Sequence, residues 1–592
     1  MSRPNVPPAR KHVSTPAAAS ARPGWMGLAA RREPAILVAL LLLHATLVLW
    51  GIARNSVTYD ENFHLPSGVL IAARHDYRVS TVNPPLVKTL CALPALMAGA
   101  RLPADSAIAT QNQQMVGFSF MNENAAHYHR VFMAARMPVL LLSLLLGLLI
   151  WHWARRLYGP AGGLLALACY AFAPEALAHA GVVGMDLATG LGIAATLYGW
   201  WGFTRGGRWS WYALAALGFA FTVLTRFTAW SLLPILVVAT LASHGRRRAP
   251  TPGRLALGFV ALLPIGLVAL AAGYMGQLSF ATLAQGTWHS HLFLGLARQL
   301  PWLRPPLPDM YLRGFDWQAF ESEVSVPTFV FGQITMERVW WYFPLALMVK
   351  WPLGFLAALA TRGVTARARR SPRRREAAFL LLPAAMFLLA GMTLVKLNAG
   401  IRYMFPLLPL LCVWLGGLAA AESPAWRRAR KGTPKWSMGT VGVALAAVTL
   451  VESLATAPYY LSSFNLLVGG PGGGDAIVND SNADWGQGLV ALHDELARRG
   501  IGRVYLTYHG TVDPGMYGID YVPYAGGEIG GESEWLAVSS YYYNGLAQRM
   551  VTRYGISKSL RVDFQALWDR APDARPANCM YLYHIRGRPS VP

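Results

Sequence analysis

The sequence predicts a polytopic α-helical membrane protein of about eleven transmembrane helices, followed by a small C-terminal α/β domain. Three observations predict it. Of 592 residues, 54% are hydrophobic and only 14% are charged. The apolar residues gather in runs that approach or exceed the roughly 18–20 residues needed to span a bilayer. The arginines sit in short clusters between those runs, as the positive-inside rule requires. A net charge of +23 could otherwise point to nucleic acid, but this distribution along the chain excludes that partner.

The elements follow in order. Residues 1–34 are polar and basic and form a cytoplasmic, disordered tail. The run ILVALLLLHATLVLWGIA (36–53) has no small-residue cleavage site after it and is a retained anchor. Further spans are expected near 136–154, 161–178, 187–204, 210–225, 227–243, 255–275, 343–361, 377–394, 403–420 and 438–457. Alternating from a cytoplasmic start, Arg155-Arg156, Arg205/Arg208, Arg246–Arg248, RARRSPRRR (367–375) and RRARK (427–431) all fall on the inner side. A single miscounted helix would destroy that agreement. The membrane domain is then 35–458, with outer loops at 54–135 and 276–342 and an outer domain at 459–592. Within 54–135, NFHLPSGVLIAA (62–73) and VNPPLVKTLCALPALMAG (82–99) are too short or interrupted to span and read as interfacial helices. The tail carries a Gly-rich turn or linker GGPGGG (469–474), a helical GLVALHDELARRG (488–500), and strand-like VYLTYH (504–509) and WLAVSSYYY (535–543). The turn lacks the Gly-Lys-Ser/Thr ending of a phosphate loop. Four cysteines without a CxxC pair exclude a thiolate zinc site and argue against a disulfide framework.

Chemistry concentrates where the spans end on the outer side. Asp60 and Glu61 follow the first span directly and point about 100° apart on a helix, so they can serve two roles. A solvated helix cap by Asp60 is the plain alternative. His64 lies one turn on. Asn83-Pro84-Pro85-Leu86 leads to Lys88, HAGVVGMD supplies His179 and Asp186, LTRF supplies Arg226, and VKLNAGIRY supplies Lys396, Arg402 and Tyr403. Outer cations run against the positive-inside trend; a phosphate headgroup gives them a reason, and snorkelling to lipid phosphates is the alternative for any single one.

Asp60-Glu61 after the first helix, the Asn-Pro-Pro-Leu-Xaa-Lys segment, Asp186, WYFPLALMVKWPL (341–353) and Arg402-Tyr403 resemble the protein O-mannosyltransferase and aminoarabinose-transferase type of GT-C superfold glycosyltransferase. DSNADWGQGL (480–489) resembles a segment of bacterial members. The resemblance spans most of residues 35–500. It implies an inverting glycosyltransferase that takes a hexosyl or pentosyl group from a polyprenyl-phosphate donor. The sugar would pass to an exported acceptor: a protein hydroxyl, an envelope glycan or a lipid. It implies Asp60 as catalytic base, with Glu61 beside it. Arg402 comes first among the donor-phosphate ligands, then Arg226, Lys396, Lys350, Lys88 and Tyr403. His64, Asn83, His179, Asp186, Asp484 and Trp485 are supporting or substrate-binding candidates. A divalent cation (Mg, Mn or Zn) could be held by Glu61, Asp186 and His64; the resemblance accommodates work with or without one.

Some readings remain open. His289-Ser290-His291 is a surface loop more readily than a metal site. Asp480, Asn482 and Asp484 mimic half a calcium loop, but Trp485 and Ala491 stand where Gly and Glu are required. A turn with an Asx cap is the simpler reading there. A lipid-linked glycan flippase would place charges at mid-membrane and show inverted repeats. A non-catalytic envelope assembly protein would have no need for acids and phosphate-type cations together. Gly-, Ala- and Arg-rich usage fits a bacterial inner membrane protein.

Overall fold

Helices occupy all eleven apolar segments, yet proline and glycine divide several of them. The computed structural model describes residues 27, 30–243, 250–324, 327–368, 374–420, 437–529, 531–546, 549–551, 557–559, 564–585 and 590–591. Among these, five helices are long and apolar enough to cross a membrane: Glu33–Arg54, Tyr128–Tyr158, Pro252–Gly273, Arg375–Leu394 and Met438–Thr456. A sixth is the pair Tyr342–Lys350 and Leu353–Ala366, bent by 112°. The bend falls at Trp351, whose extended backbone (φ −73°, ψ 138°) is what the following Pro352 imposes. Ala173 before Pro174 does the same, so the expected span 161–178 is two short helices, Pro160–Ala171 and Pro174–His179. Among the described residues, five or six spans therefore meet both length and composition, against the eleven expected; Asp186–Gly206 has the length at 21 residues, and the remaining apolar segments are shorter or divided helices.

Arg155, Arg156 and Arg205 gather at one end of the bundle with tryptophans. Arg155 pairs with Glu33 at 2.8 Å, Arg205 pairs with Glu376 at 2.9 Å, and Arg156 and Arg205 lie over Trp211 and Trp201. Arg246–Arg248, RRARK (427–431), most of RARRSPRRR and residues 1–26 lie outside the described residues. The opposite ends of the same helices carry Arg54, Tyr128 and Asp186.

Both short stretches expected as interfacial helices are helical, Glu61–Arg74 and Leu86–Met97. The first is buried without interruption from Glu61 to Ile71, so it is an internal helix. Gly68 makes this packing close: a Cβ there would stand 2.1 Å from the Lys88 carbonyl oxygen.

In the C-terminal part, the central strand Val504–Thr507 runs parallel to both Tyr521–Pro523 and Trp535–Ser539, and Met580–His584 closes the other edge antiparallel. Alternation places Tyr505, Leu536, Val538, Tyr581 and Tyr583 on one face. Val504, Leu506, Ala537, Met580 and Leu582 on the other pack against Leu489, Leu492 and Leu496 of helix Leu489–Arg499. The Gly-rich stretch is a series of 3-10 turns fastened to the bundle through Asn465, whose Nδ2 donates to the carbonyls of Met348 and Trp351 at 2.6 and 2.8 Å.

Candidate active site

Asp60 holds the N-cap position of helix Glu61–Arg74, but its side chain makes no capping hydrogen bond. It turns instead toward Arg402, whose Nη1 donates to Oδ2 at 2.6 Å. The cap reading is thereby corrected: the acid is committed to a cation 342 residues away. Burial alone would raise its carboxyl, yet Arg402 and His64 hold it below the usual carboxylate range. Arg402 sits on the 3-10 turn Ile401–Met404, entered through Gly400 at φ 100°, a conformation that favours glycine. Its guanidinium lies over the Trp485 ring at 4.4 Å and near the Tyr403 ring at 5.4 Å.

A second acid–guanidinium pair stands alongside. Asp186, at the start of helix Asp186–Gly206, bonds Arg226, which lies 5.3 Å from the same Tyr403 ring. Tyr403 thus serves both guanidiniums. Two cations, each balanced by one carboxylate and both against one aromatic ring, form a site that can accept a phosphate and give up a carboxylate in exchange.

Residues 128–269 match the family model of the dolichyl-phosphate-mannose-protein mannosyltransferases. The resemblance to this family is thus shown over roughly a quarter of the chain, including Asp186 and Arg226; Asp60 and Arg402 lie outside the matched stretch. No curated protein matches the chain. Among solved structures, ArnT from Cupriavidus metallidurans bound to undecaprenyl phosphate is 16% identical, with 81% of this chain and 73% of that chain covered and a TM-score of 0.43. The Saccharomyces cerevisiae Pmt1-Pmt2 protein O-mannosyltransferase complex bound to the sugar donor is 16% identical over 43% of this chain and 36% of that chain, with a TM-score of 0.30. The Archaeoglobus fulgidus oligosaccharyltransferase in complex with Zn and sulfate is 12% identical over 90% of this chain and 73% of that chain, with a TM-score of 0.37.

Glu61 is placed differently from its expected role. It is fully buried and bound on both oxygens by Arg136, Nε to Oε1 at 2.8 Å and Nη2 to Oε2 at 2.7 Å. The amides of Thr58 and Val183 and the Thr58 hydroxyl also donate to it. Burial would raise this carboxyl, and Arg136 with those amides holds it low. With both oxygens engaged in this way, Glu61 is held as a structural anion rather than turned toward Arg402 as Asp60 is. Among the described residues, no three His, Cys, Asp or Glu side chains converge to hold a metal ion, so Glu61, Asp186 and His64 do not form the expected trio. His64 does approach Asp60; burial pushes its imidazole down to about 4, and its Nδ1 has no hydrogen-bond partner.

Lys88 and Lys350 are buried, whereas Lys396 is exposed. Lys88 is 1% exposed and donates to the carbonyls of Ser80, Val82 and Asn83, so the Asn-Pro-Pro-Leu-Xaa-Lys segment is folded around its own cation. Asn83 takes a positive φ of 67° inside that knot. Lys350 donates to the carbonyls of Leu461 and Asn482 at 2.8 and 2.6 Å and lies 3.7 Å from Glu175. Lys396 is exposed and donates to the Glu323 carbonyl. Lys88 and Lys350 are thereby corrected as phosphate ligands, being buried and satisfied by backbone carbonyls, whereas Lys396 stays exposed at the end of helix Asp309–Glu323. His179 bonds Glu175 at 3.4 Å and meets the rings of Phe405 and Trp485 edge-on. His289 and His291 pair with Asp316 and Glu323.

The tail motif divides. Trp485 faces the site under Arg402, whereas Asp484 is wholly buried, accepting from the amides of Gly486 and Tyr541, and its carboxyl is pushed up to about 7 by burial. Three residues near Asp60 escaped the sequence reading. Arg136 was hidden inside a span, although a cation in an apolar run is itself a signal. Glu321, raised by burial and by the charge of Asp60, and His509, pushed down to about 3 by burial, carry no linear signature.

Proposed function

We propose that this chain is an inverting membrane glycosyltransferase that moves a sugar from a polyprenyl-phosphate donor to an exported hydroxyl acceptor. The observation that carries it is the pairing of Asp60 with Arg402 and Asp186 with Arg226 around Tyr403. The donor phosphate is drawn to the two guanidiniums, which loosens Arg402 from Asp60. Asp60, kept anionic, accepts the proton of the acceptor hydroxyl as that oxygen bonds to the anomeric carbon. The bond from the anomeric carbon to the phosphate oxygen breaks, and its electron pair leaves with the polyprenyl phosphate. Arg402 and Arg226 stabilise the added negative charge. A phosphate leaves as a stable anion, so no second carboxyl is needed to protonate it, unlike a glycosidase. A single displacement inverts the anomeric configuration. The catalytic face, with the C-terminal part, lies on the extracytoplasmic side of a bacterial inner membrane, where an exported acceptor meets it.

The test supplies purified protein with a panel of radiolabelled hexosyl and pentosyl polyprenyl phosphates. Wild type is expected to consume one of them, and Asp60→Asn to transfer about 10²–10⁴-fold more slowly. Equal rates would remove Asp60 as the base. Consumption of none by wild type would remove the transferase reading.

A further inference from the structure

The two halves of the proposed catalytic pair are held by a segment that belongs to neither. Asp60 follows a loop whose Ser56 and Tyr59 amides donate to the carbonyls of Gln487 and Trp485 at 3.1 and 2.8 Å. The Ser56 hydroxyl donates to the Gly486 carbonyl at 2.8 Å. Arg402 follows Ile401, whose amide donates to Asn482 Oδ1 at 2.9 Å, and the Ser481 hydroxyl donates to the Ala399 carbonyl at 2.5 Å. One stretch, 479–489, therefore grips both loops, and its Trp485 ring lies beneath the Arg402 guanidinium.

The stretch is itself pinned. Asn482 Nδ2 donates to the Tyr342 hydroxyl at 2.7 Å and to the Asn479 carbonyl at 3.0 Å, and its own carbonyl accepts from Lys350. Lys350 is 2% exposed and reaches back to Glu175, which holds His179 against Trp485. Asp480 takes a positive φ of 64°, a conformation that Asp tolerates better than most non-glycine residues, and its Oδ1 accepts from the Ser481 amide at 2.5 Å. Buried and fully bonded, Asn482 is 0% exposed and does not reach solvent.

We propose that segment 479–489 is a positioning clamp that sets the register between Asp60 and Arg402, with Asn482 and Trp485 as the residues through which it acts and Lys350 as its pin. The inference rests on the transferase reading. It assigns the C-terminal part a role in catalysis by way of the active-site geometry, with no contact to substrate required.

Two measurements on full-length detergent-solubilised protein test it. Hydrogen exchange in Asn482→Ala should speed up in peptides covering 398–404, which lose the acceptor of the Ile401 amide, while peptides of helix Tyr128–Tyr158 stay unchanged. No local change, or a general loosening, overturns the clamp. A kinetic cycle then combines Asn482→Ala with Arg402→Ala. Asn482→Ala alone should lower kcat/KM roughly tenfold to a hundredfold. In the Arg402→Ala background it should cost less than about twofold, because a residue acting through Arg402 has nothing left to position. Equal losses in both backgrounds overturn the proposal. Trp485→Phe, which keeps a ring under Arg402, should retain most activity that Trp485→Leu loses. Should wild type transfer nothing, the transferase reading falls and the exchange measurement alone decides the clamp.

Discussion

A catalytic base must be anionic and reachable, and of two neighbouring acids only Asp60 is both. Its side chain is 24% exposed and its partner Arg402 is open to exchange, whereas Glu61 is sealed with Arg136 at 0% and 3% exposure. Substitutions should separate the two. Asp60→Asn should leave the fold intact and slow turnover by about 10²–10⁴-fold. Glu61→Gln strands a buried guanidinium, costs about 3–5 kcal/mol of stability, and shows as a lowered unfolding midpoint in detergent. Asp484 gives the pH dependence. Its folded carboxyl, at about 7, lies above the ordinary 3.8, so the folded state keeps a proton that the unfolded state releases. The linked stability is full below pH 3.8 and is lost as pH rises through about 7. Asp484→Asn cannot ionise, so its unfolding midpoint should fall less than wild type between about pH 5 and 8, followed by thermal melts across that range.

At the scale of elements, the site depends on close approach and on broken helices. Helix Glu61–Arg74 packs backbone to backbone on Leu86–Met97 at Gly68, where a methyl group would overlap the Lys88 carbonyl. Gly68→Ala must push the two helices apart, and a loss of roughly 1–3 kcal/mol is expected by thermal unfolding. Because Asp60 begins the first of these helices, activity should fall with it. The breaks before Pro174 and Pro352 have a complementary use: they free His179 and Lys350 from continuous helices and bring them toward the Trp485 loop.

At the scale of the molecule, the arginine-and-tryptophan end and the acid–guanidinium end lie at opposite ends of the helices, so one orientation decides which side of the membrane the proposed site faces. All four cysteines, Cys91, Cys169, Cys412 and Cys579, are buried, which leaves a quiet background for labelling. A single cysteine introduced at exposed Asp569 should react with a membrane-impermeant maleimide in intact cells. Reaction only after lysis would turn the molecule over and place the acceptor in the cytoplasm.

The sequence by itself determined the membrane class, the helical character of every apolar segment, and a set of residues that includes Asp60, Asp186, Arg226, Arg402 and Tyr403. These follow from local patterns: run length, periodicity, and charges placed where an apolar run ends. The tertiary structure alone decided which of two adjacent acids meets Arg402, that Arg136 binds the other, and that Lys88 and Lys350 spend their charge on backbone carbonyls. It also showed where apolar runs divide, at Pro174 and Pro352, since a proline break reads as a continuous apolar run. The reason is common to all of these. A partner hundreds of residues away is chosen by packing and desolvation, which leave no spacing rule in the chain.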